Sequence, residues 1–143
     1  MLAASMFAPR RAMSQGAAAY QATGVEIQVA GADAHRLVSL LFEGFDDAVV
    51  DAQGGLAAGD IERKCRSITR AIRIVDEGLR AHLNLKAGGT LARDLMELYG
   101  YVVHRLMMAN VRNDTALLAE CKRLMQPLRE AWASIGEQPR AAG

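Results

Sequence analysis

The chain has 143 residues, enough for one well-packed domain and too few for two independent cores. Hydrophobic residues make up 51% of it and charged residues 23%, with three prolines, a composition that favours folding over general disorder. Lys and Arg number 17 against 16 Asp and Glu, for a formal net charge of +1, and no stretch concentrates basic residues, so nucleic acid is excluded as a partner.

No apolar run reaches the roughly 18 to 20 residues of a membrane helix, so no membrane insertion is expected. In the opening MLAASMFAPRRAMSQG the basic pair Arg10 and Arg11 follows the apolar stretch, the reverse of a secretory signal, and a cytoplasmic protein is expected. Residues 1–32 mix Ala, Gly and Ser without a lasting period and carry Pro9. They read as a flexible N-terminal arm, with order confined to the stretch from Tyr20 to Val29.

Asp33 is the expected N-cap of a first helix over residues 34–53, with Leu37, Leu41, Gly44 and Ala48 on one face. Gly54, Gly55 and Gly59 are expected to end it and form the connection. Asp60 caps a second helix, whose apolar positions Ile61, Cys65, Ile68, Ile72, Val75 and Leu79 repeat at spacings of four and three. Its other side, with Arg66, Arg70, Arg73, Glu77 and Arg80, reads as a solvated face, and Arg73 to Glu77 is an i, i+4 pair. The two glycines of LKAGGT interrupt the pattern.

A third helix then carries Leu91, Leu95, Leu98, Val102 and Leu106 along one side, widened by Met96, Tyr99, Val103 and Met107, and stops near Asn110. Tyr99 and Tyr101 are two positions apart and point about 200° away from each other, so they cannot enter one core layer. Asn113 or Asp114 caps a fourth helix with Leu117, Cys121, Leu124, Leu128 and Ile135 inward, bent at Pro127 and not divided by it. The expectation is an all-α fold: an antiparallel four-helix bundle over residues 33–135, with the arm before it and a flexible C-terminal tail at 136–143.

The apolar stripes are wider than a closed bundle needs. The surplus must be covered by the arm, by a second subunit or by a client peptide. The residues expected to make a protein-binding groove on helices two to four are Ile72, Leu79, Leu98, Tyr101 and Leu106. Some of these can equally be closed-core positions.

Catalysis finds little support. His35, His82 and His104 fall on three helices with no Glu-x-x-His pair, and Cys65 and His82 are 17 residues apart, about 25 Å along a helix, too far to share a zinc ion. Gly88 and Gly89 lack the strand-loop-helix setting of a phosphate loop. No enzyme activity, cofactor or metal is expected. Cys65 and Cys121 read as small buried side chains with free thiols.

Several stretches together resemble one family. These are AYQATG at 19–24, DAHRLVSLLFEG at 33–44, GD at 59–60, RAIRIVDEGLRAHL at 70–83, GG at 88–89, LYGYVVHRLMMANVRND at 98–114 and LREAW at 128–132. In order and spacing the chain is similar to the flagellar secretion chaperones that bind newly made flagellin, called FliS. The resemblance implies a cytoplasmic four-helix chaperone that binds the C-terminal region of flagellin, keeps it unpolymerised and helps present it to an export-gate component. It implies a protein-binding role for Asn110, within the matching stretch, and identifies Tyr20 with the family's N-terminal tyrosine, implicated in arm docking and gate contact. Where the family commonly has Ser-Pro this chain has Asp33 and Ala34, and Gly100 stands where the family commonly has Asp. A general helical adaptor or structural dimer is the competing class.

Overall fold

Short polar caps start three of the four helices in the computed structural model, which describes residues 34–137. Helix α1 spans Ala34–Ala58 and α2 spans Ile61–Arg73; the Asp60 carboxylate accepts from the Arg63 amide at 3.1 Å and so satisfies one of the free donors of the first turn of α2. Helix α3 spans Leu85–Arg112, with the Asn84 side chain accepting from the Ala87 amide, and α4 spans Thr115–Glu137, with Asp114 accepting from the Ala116 amide. The expected cap Asp33, the N-terminal arm with Tyr20, and most of the expected C-terminal tail lie outside the described residues.

The non-helical connections are two residues long, Gly59 with Asp60, Leu83 with Asn84 after the helical turns that carry on from α2 to His82, and Asn113 with Asp114, so successive helices run antiparallel. Helix α1 packs on α2 and α4, and α3 packs on the same two from the opposite corner. The core inside this ring holds Leu41, Phe45, Ile68, Leu79, Tyr99, Leu106, Leu118 and Met125, each at most 1% exposed. The all-α, four-helix reading of the sequence therefore stands.

Two boundaries differ from the sequence expectation, each for a physical reason. Helix α1 runs through Gly54 and Gly55 to Ala58 and does not stop at 53. A Cβ at Gly55 would meet the Lys64 backbone nitrogen at 2.8 Å, so this glycine serves close approach of α2 and not chain reversal; the turn falls to Gly59, at φ +70°. Helix α3 begins at Leu85, before the two glycines, and absorbs them as a kink at Gly89 (φ 56°, ψ −135°). As the sequence leads one to expect, helix α4 is not divided at the exposed Pro127 and continues through it, at the cost of one backbone hydrogen bond.

The end of the second helical segment is also distorted. After Arg73 the chain widens into a π-helical stretch, Ile74–Leu79, in which the Arg80 amide donates to the Val75 carbonyl, and then tightens into a 3-10 turn, Arg80–His82. Gly78 faces the core there, and a Cβ on it would meet Leu41 Cδ2 at 2.9 Å. The His82 ring, 2% exposed, holds the Gly78 carbonyl through Nδ1 at 2.6 Å. Burial pushes the His82 pKa below its ordinary value, against the smaller opposing effect of that hydrogen bond.

Candidate protein-binding surface

Helix α3 is buried along one stripe, Ala92, Leu95, Tyr99, Val102, Leu106 and Ala109, and both of its flanks remain partly apolar. The flank toward α2 carries Met96, Gly100, Val103, Met107 and Val111 at helical spacing. Its direction is set by two contacts. Near the C-terminus of α3, Asn110 receives the Lys64 ammonium and lies 3.5 Å from the Cys65 sulfur. Nearer its start, Arg80 reaches across so that Nε sits 2.9 Å from the Met96 sulfur, with its guanidinium beside Gly100.

Ile61, Cys65 and Ile72 form the facing side of α2 by the same periodicity. Ile61 is 50% exposed, Met107 54% and Val111 84%, so three large apolar side chains lie in water at one end of the groove between α2 and α3. A methionine in such a position packs against many shapes, because its unbranched thioether adapts.

The opposite flank of α3 faces α4 and is more polar. Tyr101 is 45% exposed, and its hydroxyl donates to Glu120 at 3.0 Å. Arg105 donates to the same carboxylate at 2.7 Å and lies 5.7 Å from the Tyr101 ring centroid. Arg105 holds the Glu120 carboxyl below its usual range, while the hydrogen bond to Glu120 raises the Tyr101 pKa. Leu98, three residues before Tyr101, is half-buried on this side.

The residues expected at the groove are thus divided. Ile72 is half-buried on the α2 side, whereas Leu98 and Tyr101 border α4, and Asn110 is half-buried between α2 and α3. Leu79 and Leu106 are fully buried and belong to the core. Tyr99 and Tyr101 separate as their spacing requires, the first 1% exposed and the second at the surface. Ile61 and Leu91, expected in inward seams, are about half exposed. Sequence reasoning missed Val111 and Lys64. Val111 continues the Val103 and Met107 spacing by one turn and was detectable; a buried lysine leaves no periodic signal.

Among the described residues no cluster of three His, Cys, Asp or Glu side chains is placed to hold a metal, and no helix is long and apolar enough to cross a membrane. Both cysteines are free thiols: Cys65 is half-buried, and Cys121, buried near the Val102 carbonyl, is pushed up to about 12 by burial.

The family model described as "Flagellar protein FliS" matches residues 16–139. The "Flagellar secretion chaperone FliS" of Salmonella typhimurium is 39% identical over 122 residues, covering 85% of this chain and 90% of that protein. The protein of the same name from Escherichia coli is 36% identical over 119 residues, 83% of this chain and 88% of its own length. The "Flagellar secretion chaperone FliSB" of Pseudomonas aeruginosa is 39% identical over 116 residues, covering 81% and 91%.

Proposed function

The chain belongs to the FliS family, and from that premise we propose that it is a cytoplasmic export chaperone that binds the C-terminal segment of flagellin. It acts by binding and not by chemistry: it keeps the segment from polymerising prematurely and helps deliver it to the flagellar type III export apparatus, where an export-gate component is its second partner.

The observation that carries this reading is the open apolar end of the α2–α3 groove, formed by Ile61, Met107 and Val111. An amphipathic client segment that orders on binding would bury what these side chains still expose, each contributing a part of the about 1.5–3 kcal/mol that complete burial gives, before ordering costs. Ile72, Leu98 and Tyr101 are proposed to border the client, Leu79 and Leu106 support the helices from within the core, and Tyr20 is proposed to contact the bundle or the gate.

The test is calorimetric titration of the full chain with a flagellin C-terminal segment, beside an internal flagellin segment of equal length. One-to-one binding of the first alone supports the reading. Binding of neither, with self-association on light scattering, supports a structural dimer instead.

A further inference from the structure

Lys64 is 3% exposed, and among the described residues no carboxylate pairs with it. Both hydrogen bonds found for its ammonium go to one residue, Asn110, at 2.9 Å to the backbone carbonyl and 2.8 Å to Oδ1. That carbonyl belongs to the last turn of α3, where no further helical amide follows to satisfy it; Asn113, in the left-handed conformation, and Asp114 both donate to the Ala109 carbonyl instead. The buried cation therefore sits at the negative end of the α3 dipole, which partly offsets the cost of burying it. Behind Lys64 its own backbone nitrogen lies against Gly55 of α1, where no Cβ fits. One lysine thus ties three helices together at the end of the bundle where the groove is most apolar.

We infer that Lys64 is the positioning residue of the α2–α3 groove: acting through Asn110, it fixes the last turn of α3 against α2 and so sets where Met107 and Val111 stand relative to Ile61. This rests on the proposed client-binding role of the groove. It assigns Asn110 to the support of the groove and not to contact with the client, since Oδ1 is already committed to Lys64 and lies beside the Cys65 sulfur.

The experiment uses the full chain and the variants Lys64→Met, Asn110→Leu, Asn110→Asp and the Lys64→Met/Asn110→Leu double variant, each first checked for helicity and cooperative unfolding. The first readout needs no client. Cys65 touches Asn110, so its reaction rate with an aromatic disulfide reagent should rise at least fivefold in Lys64→Met and Asn110→Leu, should stay within twofold of wild type in Asn110→Asp, and Cys121 should remain slow throughout. The second readout is affinity for the flagellin C-terminal segment: both disruptive single variants should lose about tenfold, the double variant should lose no more than either, and Asn110→Asp should hold within twofold. If both cysteines accelerate together, the lysine only stabilises the whole bundle and the inference is overturned. It is also overturned if Asn110→Asp and Asn110→Leu lose affinity equally while Lys64→Met retains it, because Asn110 then touches the client itself. Absence of client binding by wild type would refute the chaperone reading, and the Cys65 rates would still decide the positioning role. Should Lys64→Met fail to fold, Asn110→Leu and Asn110→Asp carry the same comparison.

Discussion

His35 and Trp132, 97 positions apart in the chain, are bound to each other reciprocally: the Trp132 indole donates to the His35 carbonyl at 2.9 Å, and His35 Nε2 donates to the Trp132 carbonyl at 2.7 Å. Their rings stack at 5.0 Å with 10° between planes. The first turn of α1 is thereby joined to the last turns of α4, closing one corner of the ring that no short loop closes.

Trp132→Phe should keep the stack and lose the indole donor, costing about 1 kcal/mol, whereas Trp132→Ala should cost about 3–5 kcal/mol through the cavity left at a 7% exposed site. Urea denaturation followed by circular dichroism checks both. Trp132 is the single tryptophan of the chain, so its fluorescence in the wild type also reports opening of this corner directly.

Two glycine substitutions should act in opposite directions. Gly55→Ala should destabilise by about 1–3 kcal/mol, because its Cβ would strike the Lys64 backbone, which cannot yield as a side chain can. Gly100→Ala should stabilise by about 0.5–1 kcal/mol: its Cβ would make an ordinary 3.7 Å contact with Arg80, and the unfolded chain would have less freedom to lose. Thermal melts of the two variants against wild type would settle the signs.

These glycines also show how much was legible before the fold was known. The seams of all four helices follow from period 3.6 alone, and Asp60 and Asp114 were readable as caps because a carboxylate just before an amphipathic run has amides to receive. Gly54 and Gly55 were misread as breaks because local rules score a glycine for chain freedom, while α1 uses Gly55 for contact with a neighbour; the interruption read at Gly88 and Gly89 is present as the non-helical Gly89. The π-helical stretch likewise contains a glycine used for contact, since a Cβ at Gly78 would meet Leu41 of α1. At the candidate site, Met107 and Tyr101 were visible as surplus to a closed stripe, but Lys64 was not, since its partner Asn110 lies 46 positions away.

Stability should fall as pH is lowered through the range where His82 titrates in the unfolded chain. Burial lowers the folded-state pKa, so the folded protein favours the neutral ring; the contribution is complete above the unfolded value of about 6.5 and is lost as pH falls toward the lower folded value. Urea midpoints for wild type and His82→Leu, measured at pH 7.5, 6.5 and 5.5, should show a smaller decline for the variant whatever its absolute stability. Equal declines would assign the pH dependence to other groups.

On the flank of α3 that faces α4, the hydroxyl and the ring of Tyr101 should contribute differently. Tyr101→Phe removes the hydroxyl that donates to Glu120 but leaves the Arg105–Glu120 ion pair, so stability should change little. If the client borders the Tyr101 ring, Tyr101→Phe should retain its affinity and Tyr101→Ala should lose it. Fluorescence anisotropy with a labelled flagellin tail distinguishes the two.

Whether the apolar end of the α2–α3 groove receives the client is decided by titration calorimetry of the flagellin C-terminal segment against wild type and Met107→Ser/Val111→Ser. Both positions are exposed, so the double variant should fold with little change in stability. Binding to wild type should be one-to-one and should weaken at least tenfold in the variant, with a less negative heat-capacity change as less apolar surface is buried. Binding of equal strength and equal heat-capacity change in the two proteins would contradict that placement of the client.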